Sequence, residues 1–87
     1  MIDPYEIFLR SEAIEALRGI RGTSRKWIAA FIDSLAADPS QTGDYASHDS
    51  TGREISIKIL GSYAVTFWAD HPAREIKITD IRSADQA

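Results

Sequence analysis

Residues 53–82, REISIKILGSYAVTFWADHPAREIKITDIR, decide the fold, because they contain three runs in which apolar and polar residues alternate. Successive side chains of a strand point to opposite faces of a sheet, so each run predicts a half-buried β-strand. Gly61–Ser62 and Asp70–Pro72 separate the runs and predict two tight turns. Ile81 is out of step with the earlier isoleucines of its run, which predicts a bulge or the strand end near Asp80. The stretch therefore predicts an antiparallel three-strand meander with one apolar face that another layer must cover.

The alternation also assigns the side chains of the first two runs to faces. The isoleucines that share one face of the first run are Ile55, Ile57 and Ile59. In the second run Tyr63, Val65 and Phe67 point away from the face that carries Trp68. If helices cover the isoleucine face, Trp68 lies on the open face of the sheet, where large aromatic side chains often mark interfaces. Trp68 is therefore a candidate partner contact, with local packing as the alternative.

The segment before the meander predicts one strand and two helices. Tyr5–Leu9 favours a strand, and Ser11 is a suitable N-cap for a short helix that ends near Gly19. A second helix follows, with Thr23 or Ser24 as its cap. The apolar stripe of this helix, which predicts its buried positions, consists of Trp27, Ile28, Phe31, Ile32 and Leu35.

The remaining segments predict irregular structure. Asp38–Pro39 ends the second helix, and residues 40–52 are polar and rich in turn-forming residues, which predicts a loop. Residues 83–87 predict a flexible tail. The order of elements is then β-α-α-β-β-β. Two helices on one face of a small, mostly antiparallel sheet make a two-layer α+β sandwich, and we expect residues 1–87 to be a single domain.

Composition narrows the class of protein. The chain has 87 residues, no cysteine and a formal net charge of −3, so disulfides and thiolate metal sites are excluded. A protein that binds nucleic-acid duplexes or ribosomes normally carries a clear basic patch, which this sequence lacks. No apolar run approaches the ~20 residues that span a bilayer, and the start, MIDPYEIF, lacks the features of a signal peptide. We therefore expect a cytoplasmic protein without membrane contact and, since no cofactor motif is present, without a cofactor.

Four segments, taken in order, carry a resemblance to a known family. YEIFLRSEAIEALRGI is similar to its opening strand and short helix, and WIAAFIDSLAADPSQTGDY to its second helix. GREISIKILGSYAVTFWAD is similar to its central hairpin, and REIKITDIR to its last strand. The chain thus resembles the RelE/ParE family of toxin–antitoxin toxins over about residues 5 to 83. The resemblance implies the RelE/ParE-like fold, an antitoxin partner and, in the RNA-cleaving members, ribosome-dependent cleavage of mRNA.

The same resemblance implies site residues. Lys58 matches a lysine of the central hairpin and Arg82 an arginine near the end of the last strand, where both would stabilise phosphate charge during catalysis. Tyr63 matches the tyrosine of a Gly-x-Tyr-Arg motif and joins Trp68 as a candidate partner contact. Ala64 stands where the family has the arginine of this motif, and no basic segment follows Arg82. These departures argue against RNA cleavage.

Other functions stay open at this point. One is a non-catalytic interaction or dimerisation module on the same fold, including a homodimer, and another is an inhibitor of a DNA topoisomerase. His71 beside Asp70 is a candidate general base, although Asp-His-Pro is also favourable turn sequence. His48 would supply only a second histidine, so no metal site is expected.

Overall fold

The computed structural model describes residues 3–86, in which two helices pack against one five-stranded sheet. The elements are β1 Glu6–Leu9, α1 Ser11–Gly19, α2 Gly22–Ala37, β2 Tyr45–His48, β3 Glu54–Leu60, β4 Tyr63–Asp70 and β5 Glu75–Ser83, followed by a 3₁₀ turn over Ala84–Gln86. The sheet order is β1-β5-β4-β3-β2, with β1 parallel to β5 and the other pairs antiparallel. The predicted two-layer α+β class is confirmed. Within the described residues, neither helix is long and apolar enough to cross a membrane.

Strand β2 is the element that the sequence pattern did not predict, because it lies within the segment 40–52 that was assigned to a loop. Its four residues, Tyr45–His48, are all exposed and show no alternation of apolar and polar side chains. The strand forms because it pairs with β3, from Tyr45 opposite Ile57 to His48 opposite Glu54. Just before it, Asp44 accepts a hydrogen bond from the Ile59 N–H through Oδ2 at 2.8 Å. Pairing with β3 therefore stabilises a strand that the local sequence does not predict.

The C-terminal segment that was predicted as a flexible tail begins inside β5. Ser83 pairs with Tyr63 of β4. The N–H of Ala84 then donates to the Ser62 carbonyl at 2.7 Å, which joins the 3₁₀ turn to the β3–β4 turn. Residue 87 lies outside the described residues.

The core lies between the two helices and strands β4 and β5. It is formed by buried side chains from both layers: Ala13, Ile20, Ile28, Ile32, Leu35, Val65, Phe67, Ile76, Ile78 and Ile81. Ile81 is out of step with Ile76 and Ile78 because β5 contains a bulge, and the strand does not end near Asp80. Asp80 pairs with Thr66 and Ile78 with Phe67. Thr79 is the extra residue, and this insertion returns Ile81 to the helix-facing side.

The helix termini differ from the predicted caps. α1 begins at Ser11 itself, whose hydroxyl donates to Glu12 Oε1 at 2.6 Å, and Arg10 occupies the N-cap without a side-chain hydrogen bond. α2 begins at Gly22, ahead of Thr23 and Ser24, with Arg21 at its N-cap. Both helices therefore begin earlier than the predicted caps imply, and neither N-cap residue makes a side-chain hydrogen bond.

The first residue of the α2 stripe, Trp27, was predicted in the core and is instead 51% exposed. Its ring lies over the β3–β4 turn, where a Cβ added to Gly61 would be 3.1 Å from Cζ3. Ile28, Ile32 and Leu35 of the stripe are buried in the core, and Trp27 packs against the β3–β4 turn at its margin.

Strand β3 turns its isoleucines away from the helices, which corrects the expectation of a single apolar face. Lys58 pairs with Val65 and Ser56 with Phe67, so these side chains share the helix-covered face. Ile59 pairs with Ala64 and Ile57 with Thr66, which puts the isoleucines on the other face. The physical reason is register, since a shift of one residue would exchange every side chain between the two faces. Both faces of the meander are therefore apolar.

The pairing of β2 with β3 predicts a strict requirement for glycine at position 43. A Cβ at Gly43 would lie 2.4 Å from the backbone oxygen of Ile57, so the two segments would have to separate. We expect Gly43→Ala to lower the free energy of unfolding by about 1–3 kcal/mol in urea denaturation. The control is Gly19→Ala, where no atom lies within 4 Å of the added Cβ and no loss is expected. Equal midpoints for the two variants would contradict the close approach.

Candidate partner-binding face

The sheet face opposite the helices, here called the open face, carries several apolar side chains. Its central residues point away from the helices: Ile55, Ile57, Ile59, Ala64, Thr66 and Trp68. Ala64 is buried between its neighbours, and the other five side chains are half-buried. Tyr45 extends this surface onto β2, because it pairs with Ile57, and is 63% exposed. Large apolar patches with a polar rim mark interaction sites on soluble proteins. The open face is therefore the candidate functional surface.

A shallow groove of about 370 Å³ lies at one end of the open face. Its floor is apolar and comes from β3 and β4, with Ile55, Ile57 and Ala64 among its lining residues. Its rim is charged, and the charges pair with one another: Arg10 with Glu12 at 3.1 Å, and Arg82 with Asp80. The hydrogen bond from the Ser11 hydroxyl, the Glu12 backbone N–H and the Arg10 charge lower the pKa of Glu12. An apolar floor between two neutralised ion pairs is suited to an apolar side chain of a partner.

The two candidate catalytic residues lie on opposite faces of the sheet. Arg82 pairs with Ala64 across β4 and β5 and lies on the open face. Lys58 lies on the helix side, where its Nζ is 3.6 Å from an Asp44 carboxylate oxygen and 5.9 Å from the Phe31 ring centroid. The sheet backbone separates the two cations, so they cannot contact one phosphate group together. The helix-facing position of Lys58 follows from its pairing with Val65.

The two candidate partner contacts are also separated. Tyr63 is half-buried and packs against the core on the helix side, next to Leu60. Trp68 lies on the open face, where the Arg53 guanidinium carbon is 3.9 Å from its ring centroid. Of the two, Trp68 is therefore the one that a partner on the open face could reach.

The candidate general base, His71, lies in the β4–β5 turn, remote from Arg82. Its Nδ1 is 2.9 Å from the Tyr5 hydroxyl, and the two rings meet edge to face. Asp70 accepts a hydrogen bond from the Ala73 N–H at 3.3 Å, so this carboxylate stabilises the turn. The six residues from Asp70 back to Ala64, the partner of Arg82, span about 20 Å along β4. His71 therefore joins the N-terminal segment to the turn and does not approach the groove.

His48 and its neighbour Asp49 form the start of the β2–β3 turn. His48 pairs with Glu54. Asp49 Oδ1 accepts hydrogen bonds from the backbone N–H groups of Thr51 and Arg53 and from the Thr51 hydroxyl. The Thr51 hydroxyl is the largest influence that lowers the pKa of this carboxyl group. Asp49 thus stabilises a tight turn, and His48 lies on β2, two strands from the end of β4 that leads to His71.

Sequence reasoning missed that the isoleucines of β3 belong to the open face, although one signal was available. A two-residue turn at Gly61–Ser62 pairs Leu60 with Tyr63. Counting back from that pair aligns Ile59 with Ala64 and Ile57 with Thr66, on the face that also carries Trp68. The length of the turn therefore indicates which face of the sheet the isoleucines of β3 occupy. The alternation within β3 alone does not.

Comparison with solved structures shows the RelE toxin fold. RelE in the archaeal RelE–RelB complex from Pyrococcus horikoshii superposes with a TM-score of 0.78 and 17% identity, over 97% of this chain and 99% of that chain. The RelBE2 toxin–antitoxin complex of Mycobacterium tuberculosis gives 0.74 and 15%, over 92% and 98%. A mutant of the Escherichia coli RelE toxin in the free state gives 0.73 and 11%, over 97% and 87%. No protein-family model and no curated protein matches the chain.

An isoleucine-to-alanine substitution is expected to lower the free energy of unfolding by different amounts on the two faces of the sheet. Ile78 is fully buried under the helices, so Ile78→Ala is expected to lower the free energy of unfolding by about 2–5 kcal/mol or to prevent folding. Ile57 lies on the open face and leaves no enclosed cavity, so Ile57→Ala is expected to cost about 1 kcal/mol. Urea denaturation of the two variants measures the difference. A larger loss for Ile57→Ala would mean that β3 faces the helices.

Proposed function

We propose that this chain is the toxin-fold component of a toxin–antitoxin pair, that an antitoxin segment binds its open face, and that it acts by protein contact and not by RNA cleavage. The observation that carries the proposal is the row of isoleucines on the open face beside Ala64. In a small protein, apolar surface of this kind is usually covered by a partner.

The proposal of an antitoxin as partner is supported by the solved structures with the same fold. Two of them, from Pyrococcus horikoshii and Mycobacterium tuberculosis, are complexes of a toxin with its antitoxin. The groove on the open face supports the same kind of contact, because its floor is apolar while its rim charges are already paired. An apolar side chain gains about 25 cal/mol for each Å² that it buries there.

The absence of RNA cleavage is proposed from the placement of the cations. Lys58 and Arg82 face opposite sides of the sheet, Arg82 is held by Asp80, and alanine occupies position 64 between them. Transition-state stabilisation in phosphoryl chemistry requires several fixed positive groups around one phosphate, and the loss of one such donor typically costs a few kcal/mol. The same observations support a second candidate, a non-toxic interaction module on this fold.

The partner proposal is tested by co-expression with the product of the neighbouring reading frame and capture through a tag on this chain. We expect Ile57→Lys to lower the captured amount at least tenfold, because a charged group would enter the apolar groove. The control is Ile14→Lys, since Ile14 is also an exposed isoleucine, at 41%, but belongs to α1. Equal capture by both variants would place the contact elsewhere, and no capture of the unaltered chain would contradict the proposal.

The mode of action is tested by induced expression in a bacterial host with mapping of mRNA ends. We expect no new ends at ribosome-occupied codons from the unaltered chain or from Ala64→Arg, because Lys58 faces the helices in both. Growth arrest with intact mRNA would point to a protein target, of which a DNA topoisomerase is one, and supercoiling assays would examine it. Unimpaired growth would favour the interaction module. New codon-specific cleavages in the unaltered chain would refute protein contact as the mode of action.

A further inference from the structure

Strand β2 forms one edge of the sheet, and its outer side is open. It pairs with β3, and among the described residues no strand lies on its other side. Its four residues, Tyr45–His48, are all exposed, so neither helix extends over them. Edge strands commonly carry a proline or a lysine that hinders pairing with another chain, and YASH contains neither. The outer edge of β2 is therefore accessible to a further strand.

A hydrogen bond at the β2–β3 turn shows which backbone groups of β2 point outwards. The Asp49 N–H donates to the Arg53 carbonyl at 2.9 Å, directly after His48 in the ladder. In an antiparallel ladder this bond identifies His48 as a residue without direct hydrogen bonds to the strand opposite, and such residues alternate with bonded ones. Ser47 is therefore bonded to β3, whereas the N–H and C=O groups of Ala46 point to the outer edge.

The sequence of β2 is complementary to itself when two copies run antiparallel. A twofold axis perpendicular to the sheet keeps the same face upward in both copies and sets Ala46 opposite Ala46 of the second copy. The outward N–H and C=O groups of the two alanines then bond to each other. Tyr45 lies beside Ser47 of the second copy, a large ring beside a small side chain, and Asp44 lies beside His48, an acid beside an imidazole.

We propose that β2 pairs with β2 of a second copy of this chain in this register, so that two five-stranded sheets join into one continuous sheet. A shift by two residues in either direction keeps the same face upward but loses the contact between Asp44 and His48. One of these shifts also sets Tyr45 against Tyr45, and the other sets it against Asp49. Each favourable contact occurs twice because of the axis, and the chain itself supplies both sides.

The dimer leaves the proposed antitoxin contact unobstructed. Because the axis is perpendicular to the sheet, the two open faces lie on one side and the two helix layers on the other. Ile57 pairs with Tyr45 one strand inside the edge, so its side chain stays on the open face. The dimer therefore presents two open faces next to each other, with the Tyr45 rings near the junction. It forms whether or not the chain acts as a toxin.

The contact is small, so we expect a weak dimer. Stable interfaces bury about 1,200–2,000 Å² in total, and a pair of four-residue strands buries much less. Asp44 is also 3.6 Å from the Lys58 ammonium group, which shares its carboxylate with His48 of the second copy. The expected dissociation constant is on the order of 0.1 mM.

Sedimentation equilibrium measures the mass of the purified chain as its concentration is raised to about 1 mM, where a dimer of this strength predominates. We expect 9.7 kDa at low concentration and a mass approaching twice that value at high concentration. Ala46→Lys and Ala46→Glu are each expected to stay monomeric, because like charges would meet across the axis. An equimolar mixture of the two variants is expected to dimerise again, because opposite charges then meet.

The matched control is the same pair of substitutions at Ala73, an exposed alanine in the β4–β5 turn. Ala73→Lys and Ala73→Glu change the net charge equally and are expected to dimerise like the unaltered chain. The mixture of the two Ala46 variants controls for folding, because two misfolded variants would not regain a dimer on mixing. A mixture that stays monomeric while the unaltered chain dimerises would overturn the proposal.

Hydrogen exchange of single amides locates the contact. The Ala46 amide is expected to exchange about fivefold more slowly at about 1 mM than at high dilution, since about one fifth of the chains are then monomeric. The Ser47 amide, which is bonded to β3, is expected to show the same protection at both concentrations. Equal exchange of the Ala46 amide at both concentrations would overturn the proposal.

The same variants identify any other occupant of the edge. A dimer that Ala46→Lys and Ala46→Glu both retain would use another surface and would overturn the proposal. A free chain that stays monomeric at about 1 mM would also overturn it. If such a monomer captured the product of the neighbouring reading frame, and Ala46→Lys abolished that capture, the edge would belong to that product. This loss is distinct from the effect of Ile57→Lys, which tests the open face.

Discussion

The register of the β3–β4 hairpin is the constraint on which the rest of the structure depends. The two-residue turn at Gly61–Ser62 pairs Leu60 with Tyr63, and every later pair follows from that one. Because side chains alternate with a period of two, this single pair sends Lys58 to the helix side and the isoleucines to the open face. Gly61 permits the turn through its positive φ of 60°, which a residue with a Cβ would adopt only with strain.

The helix-facing core is consequently built by β4 and β5 more than by β3. Val65 and Phe67 supply one row, and the bulge at Thr79 lets Ile76, Ile78 and Ile81 supply the next. At the margin, the Lys58 ammonium group lies 5.9 Å from the Phe31 ring centroid and 3.6 Å from an Asp44 carboxylate oxygen. Lys58 therefore lies at the edge of the core and away from the open face.

The open face is divided into two chemically different parts by the same register. Near Arg82 it has an apolar floor and internally paired rim charges, which suit an apolar partner segment. Towards β1 it carries the rings of Phe8 and Trp68 beside cations that pair with neighbouring carboxylates, Lys77 with Glu75 and Arg53 with Asp49. The RelE toxin fold thus supplies the frame, while the side chains at 57, 64 and 77 give the two parts of the face different surface chemistry.

The sequence by itself determined the class of each segment in the meander and most of the α2 stripe, and it indicated a bulge or the strand end near Asp80, because these follow from residues a few positions apart. It also put Trp68 on the face opposite Val65 and Phe67, but it made the open face depend on helices that cover the isoleucines of β3, which they do not. Only the tertiary structure decided that Tyr45–His48 forms a strand, that Trp27 remains exposed and that Lys58 and Arg82 face opposite sides. Those outcomes depend on pairing and coverage between residues distant in the chain, which local periodicity does not encode.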